Sequence, residues 1–197
     1  MTSGIELRPL LQAQWEQAKQ LMGRAFSDYE YAHTLYGNSV LDRLAGVSAE
    51  YGARPWRPQA TAIGAWAGSV LVGAALAYPP GLCPACGPGS IGPEPDPNDP
   101  AAVAGATFDA IARAEHDKLP EHGYVGPVGV EPIAHGQGVG AAVMAAALDG
   151  IRERRRGLML LECLASRERF YGRLGFTTVA HFDDPYASDM LVMTAEL

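Results

Sequence analysis

Apolar and polar positions change period several times along the chain. Ile5 to Arg8 reads as a short strand. Leu11, Trp15, Ala18, Met22 and Phe26 then recur at helical spacing, which predicts an amphipathic helix. The Tyr-rich stretch around Tyr29, Tyr31 and Tyr36 reads as a packed loop, or as a wall of a pocket, before a second helix from about Ser39 to Tyr51. Two apolar runs, Thr61–Trp66 and Val70–Ala77, flank Gly68-Ser69 and predict a buried hairpin. Asp99-Pro100 is an N-cap followed by a first-turn proline. It opens a helix to about Leu119, with Val103, Phe108, Ile111 and Ala112 on its apolar side, ended by Pro120 and Gly123.

The second half reads strand, Gly-rich turn, helix, strand, short helix, strand. Tyr124–Val130 is a strand interrupted by Gly126-Pro127, where the missing N–H predicts a bulge or splay. The helix from Gly138 to about Arg155 carries Val139, Val143, Ala147 and Ile151 on one stripe, and its closing arginines complement the helix dipole. Leu158–Leu164 is apolar except for Glu162, the pattern of a strand buried on both faces. Ser166–Leu174 is expected to be a short helix capped by Ser166 and stopped by Gly175, followed by strands Phe176–Phe182 and Met190–Ala195.

Composition adds bounds. A chain of 197 residues, 48% hydrophobic and 19% charged, is expected to be one domain, 1–197, with a Pro-rich surface loop at 83–100. The net charge of -7 argues against a nucleic-acid partner. Ala60–Leu82 is long enough for a membrane span, but its glycines and Pro79-Pro80 favour two strands. Met1–Leu10 has no apolar signal core, so a cytoplasmic protein is expected. Cys83-Pro84-Ala85-Cys86 has Cys-x-x-Cys spacing, yet no second cysteine pair completes a zinc site. Reduced cysteines and no metal are therefore expected.

The candidate chemistry centres on Val128-Gly129-Val130-Glu131-Pro132, then His135-Gly136-Gln137-Gly138-Val139-Gly140-Ala141 opening a helix. Unpaired backbone N–H groups and the helix dipole suit a phosphate there. The Gly-x-Gly-x-x-Gly order of a dinucleotide-binding turn is absent.

This stretch resembles the acyl-CoA-binding motif of the GNAT superfamily of N-acetyltransferases, Gln/Arg-x-x-Gly-x-Gly/Ala after a strand ending Val-x-Pro. His135 stands where that motif has Gln or Arg. A second family block follows at Arg169-Phe170-Tyr171-Gly172-Arg173-Leu174-Gly175-Phe176. Within the superfamily the pattern most resembles the puromycin N-acetyltransferase-like group, through Ala25–Tyr29, Val128–Val130, Leu161-Glu162 and Phe170-Tyr171.

The resemblance implies an α/β (α+β) GNAT fold: a mixed, mostly antiparallel central sheet, splayed at the cofactor site, with helices on both faces. It implies transfer of an acetyl group from acetyl-CoA to a primary amine, with a small molecule as the expected acceptor. Val128, Gly129 and Val130 would pair with the pantetheine arm; His135, Gly136, Gln137, Gly138, Val139, Gly140 and Ala141 would hold the pyrophosphate. Tyr171 takes the place of the family tyrosine that protonates the leaving thiolate, or else packs the short helix. Glu162 binds or deprotonates the amine, or else forms a structural pair. His33, His116, His122 and Glu131 are weaker base candidates. Because imidazole titrates near neutral pH, His135 is expected to make cofactor binding weaker and pH-sensitive. Dimers are common in the family, so a homodimer is among the assemblies the resemblance allows. The competing expectation is a catalytically idle acyl-CoA-binding or sensor domain.

Overall fold

The computed structural model describes residues 4–53, 59–86, 94–184 and 187–197. In chain order the elements are β1 (Ile5–Pro9), α1 (Trp15–Phe26), α2 (Glu30–Tyr36), α3 (Val40–Ala53), β2 (Thr61–Ala67), β3 (Val70–Tyr78) and α4 (Pro100–His116). They continue with β4 (His122–Val130), α5 (Val139–Arg152), β5 (Leu158–Leu164), α6 (Glu168–Gly172), β6 (Thr177–Asp184) and β7 (Ala187–Glu196). The strands follow the order β1-β2-β3-β4-β5-β7-β6, mostly antiparallel, with β4 and β5 parallel. This is the mixed α/β class that the resemblance implies. The chain divides into two compact units, Met1–Tyr78 with Val125–Arg155, and Pro79–Tyr124 with Arg156–Leu197, and β4 runs from the second into the first.

In the first unit, β1 pairs with β2 and β2 with β3, both antiparallel. The hairpin turns at Gly68, whose φ of 61° is a conformation open to glycine at little cost. Ala60–Leu82 is thus mostly a hairpin, and no helix among the described residues is long and apolar enough to cross a membrane. Helix α5 packs on β2 and β3 through Val143, Met144, Ala147 and Ile151, all fully buried.

Helix α1 lies against α3 and β3. Two of the sequence expectations change here. Leu11 is exposed and precedes α1 in a short 3-10 turn at Gln12–Gln14, so it does not join the buried stripe. The Tyr-rich stretch is the helix α2 rather than a loop. Tyr29 and Tyr51 close on Phe26, with ring centroids 5.1 and 5.0 Å away. Arg43, 4% exposed, reaches from α3 to the Ser27 carbonyl at 2.7 Å and the Gly37 carbonyl at 3.2 Å. It thereby satisfies carbonyls just past the C-terminal ends of α1 and α2.

In the second unit, β5 is paired along both edges. Leu158–Leu160 face His122–Tyr124 in parallel, and Leu158–Leu164 face Glu196–Met190 of β7 in antiparallel. Met159, Leu160 and Leu161 are buried accordingly. Asp99 caps α4 as expected, its Oδ1 accepting from the Ala101 and Ala102 amides at 3.0 and 3.1 Å. Ser166 does not cap α6; it lies in a 3-10 turn, Ala165–Arg167, and the N-cap position falls to Arg167 without a side-chain bond. Helix α4 ends at His116, and β4 begins at His122, before the Gly123 expected to terminate the helix.

Candidate functional site

The Gly-rich turn belongs to the first unit. After β4, the Glu131 amide donates to the Val72 carbonyl at 2.9 Å, tying the strand's exit to β3. Gly136 and Gly138 have φ of 74° and 81°. A Cβ built on either meets nothing within 4 Å, so the turn presents bare backbone to open space. Gly138 is the N-cap of α5 and no side chain caps it. The first-turn amides of Val139, Gly140 and Ala141 are thereby left to the helix dipole alone, the arrangement that receives a phosphate.

Two close approaches hold this turn. A Cβ at Gly73 would lie 2.6 Å from Val139 Cγ1, so any other residue there would make the Val139 side chain or the start of α5 shift. A Cβ at Gly129 would lie 2.4 Å from Met22 Sδ, so α1 sits directly on the β4 backbone. His135 is exposed, with Nε2 donating to the Val130 carbonyl at 3.0 Å, and Gln137 donates to the Ile133 carbonyl at 3.1 Å. Both side chains therefore brace the turn. Glu131, a base candidate from the sequence, is held by Arg24 of α1 at 2.6 and 2.8 Å.

Tyr171 and Glu162 lie in the second unit. Tyr171 is half-buried on α6, with its ring 4.9 Å from Phe170 and 6.3 Å from Phe176. Glu162 points from β5 at His116: Oε1 bonds His116 Nε2, and the two side chains are 3% and 0% exposed. Oε2 is buried without a hydrogen-bond partner. His33 and His181 are exposed, the latter 3.9 Å from Asp189.

Sequence reasoning missed what lies on the far side of His116. Its Nδ1 is 3.3 Å from Cys83 Sγ, 3.6 Å from Cys86 Sγ and 3.0 Å from His122 Nε2. Cys86 Sγ lies 3.3 Å from His122 Nε2. One donor atom from each of these four residues falls within 4.8 Å of the others. Burial pushes both thiols up and the His122 imidazolium down. The signal in the sequence is Cys-x2-Cys followed by His-x5-His, in which the second ligand pair is histidine and not cysteine. The cluster borders a pocket of about 340 Å³ that Asp117 and Glu121 also line.

Residues 100–178 match the family model of the acetyltransferase (GNAT) domain. No curated protein matches the chain. Solved structures show the same fold over nearly its whole length. One is titled histone acetyltransferase HPA2 and related acetyltransferase, from Corynebacterium glutamicum; it is 18% identical with a TM-score of 0.64, covering 98% of this chain and 97% of that one. The mosquito arylalkylamine N-acetyltransferase like 5b is 13% identical with a TM-score of 0.65, covering 98% and 100%. The yncA structure from Salmonella typhimurium, solved with its cofactor acetyl-CoA, is 16% identical with a TM-score of 0.55, covering 99% and 95%. The matched segment carries the GNAT-domain pattern, and the solved structures share the fold over nearly the whole chain.

Proposed function

We propose that the protein is an N-acetyltransferase that moves an acetyl group from acetyl-CoA to a primary amine of a small molecule. The observation that carries this reading is the uncapped start of α5 at Gly138, open to solvent beside Gly136, on a chain whose residues 100–178 match the GNAT domain. When bound, acetyl-CoA supplies the acetyl group as a thioester. The amides of Gly138, Val139, Gly140 and Ala141 hold its pyrophosphate, with Gly136, Gln137 and His135 shaping the approach. The Val128–Gly129–Val130 backbone aligns the pantetheine arm and polarises the thioester carbonyl.

In the reaction a C–N bond forms, the C–S bond breaks, the amine loses one proton and the sulfur gains one. Glu162 Oε2, buried and unpaired while Oε1 engages His116, is suited to hold the acceptor's ammonium and pass its proton on. Tyr171 donates to the departing sulfur, since a phenol with an ordinary pKa of about 10 stays protonated at neutral pH. The finer kinship, to the puromycin N-acetyltransferase-like group, rests on the sequence blocks alone.

A thermal-shift titration with acetyl-CoA, with CoA and NADH beside it, tests the cofactor. Binding to the native state alone raises stability by about 2.7 kcal/mol at a hundredfold excess over Kd. A saturable rise with acetyl-CoA and none with NADH is expected, followed by turnover on members of an amine panel. No shift with acetyl-CoA would overturn the reading.

A further inference from the structure

Cys83 and Cys86 sit on the loop after β3, His116 is the last residue of α4, and His122 is the first of β4. Their spacing is Cys-x2-Cys and then His-x5-His. In tetrahedral zinc, Zn–S of about 2.3 Å and Zn–N of about 2.0–2.1 Å set donor–donor edges of about 3.3–3.8 Å. Four of the six donor–donor edges, 3.0, 3.3, 3.3 and 3.6 Å, lie within or slightly below that range, and all six are within 4.8 Å. Cys83, His116 and His122 are buried, and Cys86 is half-exposed, which gives an ion a way in.

The outer nitrogens decide what the inner ones present. His122 Nδ1 donates to the Pro120 carbonyl at 2.7 Å, and His116 Nε2 faces the Glu162 carboxylate. With both rings neutral, each carries its proton on the outside. The inner nitrogens, His116 Nδ1 and His122 Nε2, turn two lone pairs toward each other across 3.0 Å. A cation between the rings would use both lone pairs; without one, the Cys83 and Cys86 thiols at 3.3 Å are the groups that can donate to them. Outer acceptors of this kind, a carboxylate and a backbone carbonyl, are what metal-bound imidazoles use to fix tautomer and orientation.

We propose that Cys83, Cys86, His116 and His122 bind one Zn²⁺ ion as a closed structural site. The two cysteines bind as thiolates and release one proton each to solvent, so the ion and its ligands are together neutral. Two sulfur and two nitrogen donors favour zinc over magnesium or calcium. With four protein ligands the tetrahedron is full, which makes the site a clasp on the second unit rather than a centre for chemistry. Glu162 is then a positioning residue for the ion through His116. The inference stands independently of acetyl transfer, and its readout is metal rather than turnover.

The test uses the full chain produced in zinc-supplied medium. Elemental analysis is expected to give about one zinc per chain. Replacement by Co²⁺ is expected to give the intense d–d bands of a tetrahedral site together with a thiolate-to-cobalt charge-transfer band. Cys86→Ser should lose that band and the metal, while Cys163→Ser keeps both, and Glu162→Gln should weaken metal affinity about 10–100-fold. Should Cys86→Ser fail to fold, the wild-type chain is stripped with a chelator and titrated with Co²⁺, which reads the same band. A wild-type chain free of zinc and showing no thiolate band with Co²⁺ would overturn the proposal, as would full metal retention in folded Cys86→Ser.

Discussion

At the scale of the residue, two side chains separate chemistry from architecture. Tyr171 has a ring that packs beside Phe170 and Phe176, and a hydroxyl proposed to protonate sulfur. Tyr171→Phe keeps the ring. Turnover should therefore fall about 10²-fold or more while acetyl-CoA affinity stays the same. Steady-state kinetics beside a direct binding titration would show it, and undiminished kcat would return Tyr171 to a packing role. Asp99 is the architectural counterpart, because its Oδ1 serves two amides at the start of α4. Asp99→Ala should cost about 1 kcal/mol in denaturant unfolding, with m unchanged.

At the scale of the element, close helix contacts depend on glycine in a way that reverses the usual propensity. Ala in place of Gly within a helix ordinarily gains about 1 kcal/mol. At Gly23 of α1, a Cβ would lie 2.2 Å from Ser48 Oγ and 2.9 Å from the Leu44 carbonyl oxygen. The serine hydroxyl can turn away, but the carbonyl belongs to the α3 backbone. Overpacking of about 1–3 kcal/mol should then win, so Gly23→Ala destabilises. Gly105 of α4 has nothing within 4 Å of its Cβ position, and Gly105→Ala should stabilise by up to about 1 kcal/mol. Opposite shifts of the denaturation midpoint would confirm the contrast; a stabilised Gly23→Ala would mean that α1 and α3 slide apart at little cost.

The same scale shows what the sequence made legible. The β2–β3 hairpin, β5 and α5 were readable because apolar period and turn glycines agree locally, and their observed edges fall within a few residues of those expected. Helix α2 was not, because aromatic residues without a clear stripe are poor helix signals; its order comes from packing on α3 and from Arg43 at the Gly37 carbonyl that ends it, both tertiary. The Gly136–Ala141 turn was readable as backbone chemistry, since glycines before an apolar stripe have few other uses. The Cys/His cluster was hidden for a different reason. His116 lies 33 residues from Cys83, and only the folding back of the β3–β4 connection, which includes α4, brings the pairs together. His116 also shows why Glu162 reads two ways, since the buried charge in an apolar strand does have a structural partner while keeping a second oxygen without one.

At the scale of the whole molecule, the cofactor's pyrophosphate and the zinc ion are proposed for two different units, and this makes those two effects separable. Amide hydrogen exchange reports local opening, with free energies that differ between cooperative segments of one protein. A phosphate held at the start of α5 should slow exchange at Gly138–Ala142 and along the β3–α5 contact of the first unit. Zinc removal should instead speed exchange at Leu82–Cys86 and Arg113–Tyr124 of the second unit, where the clasp joins a loop, a helix end and a strand start. The α5 core, with Val143, Met144 and Ala147 fully buried, should be unmoved by the chelator. Exchange mass spectrometry with acetyl-CoA and chelator added separately and together would read both maps. If chelation loosened Val143–Ile151 as much as Arg113–Tyr124, the metal would be supporting global stability rather than a local clasp. If acetyl-CoA protected the second unit and left the Gly-rich turn unchanged, the cofactor would be bound elsewhere than at α5.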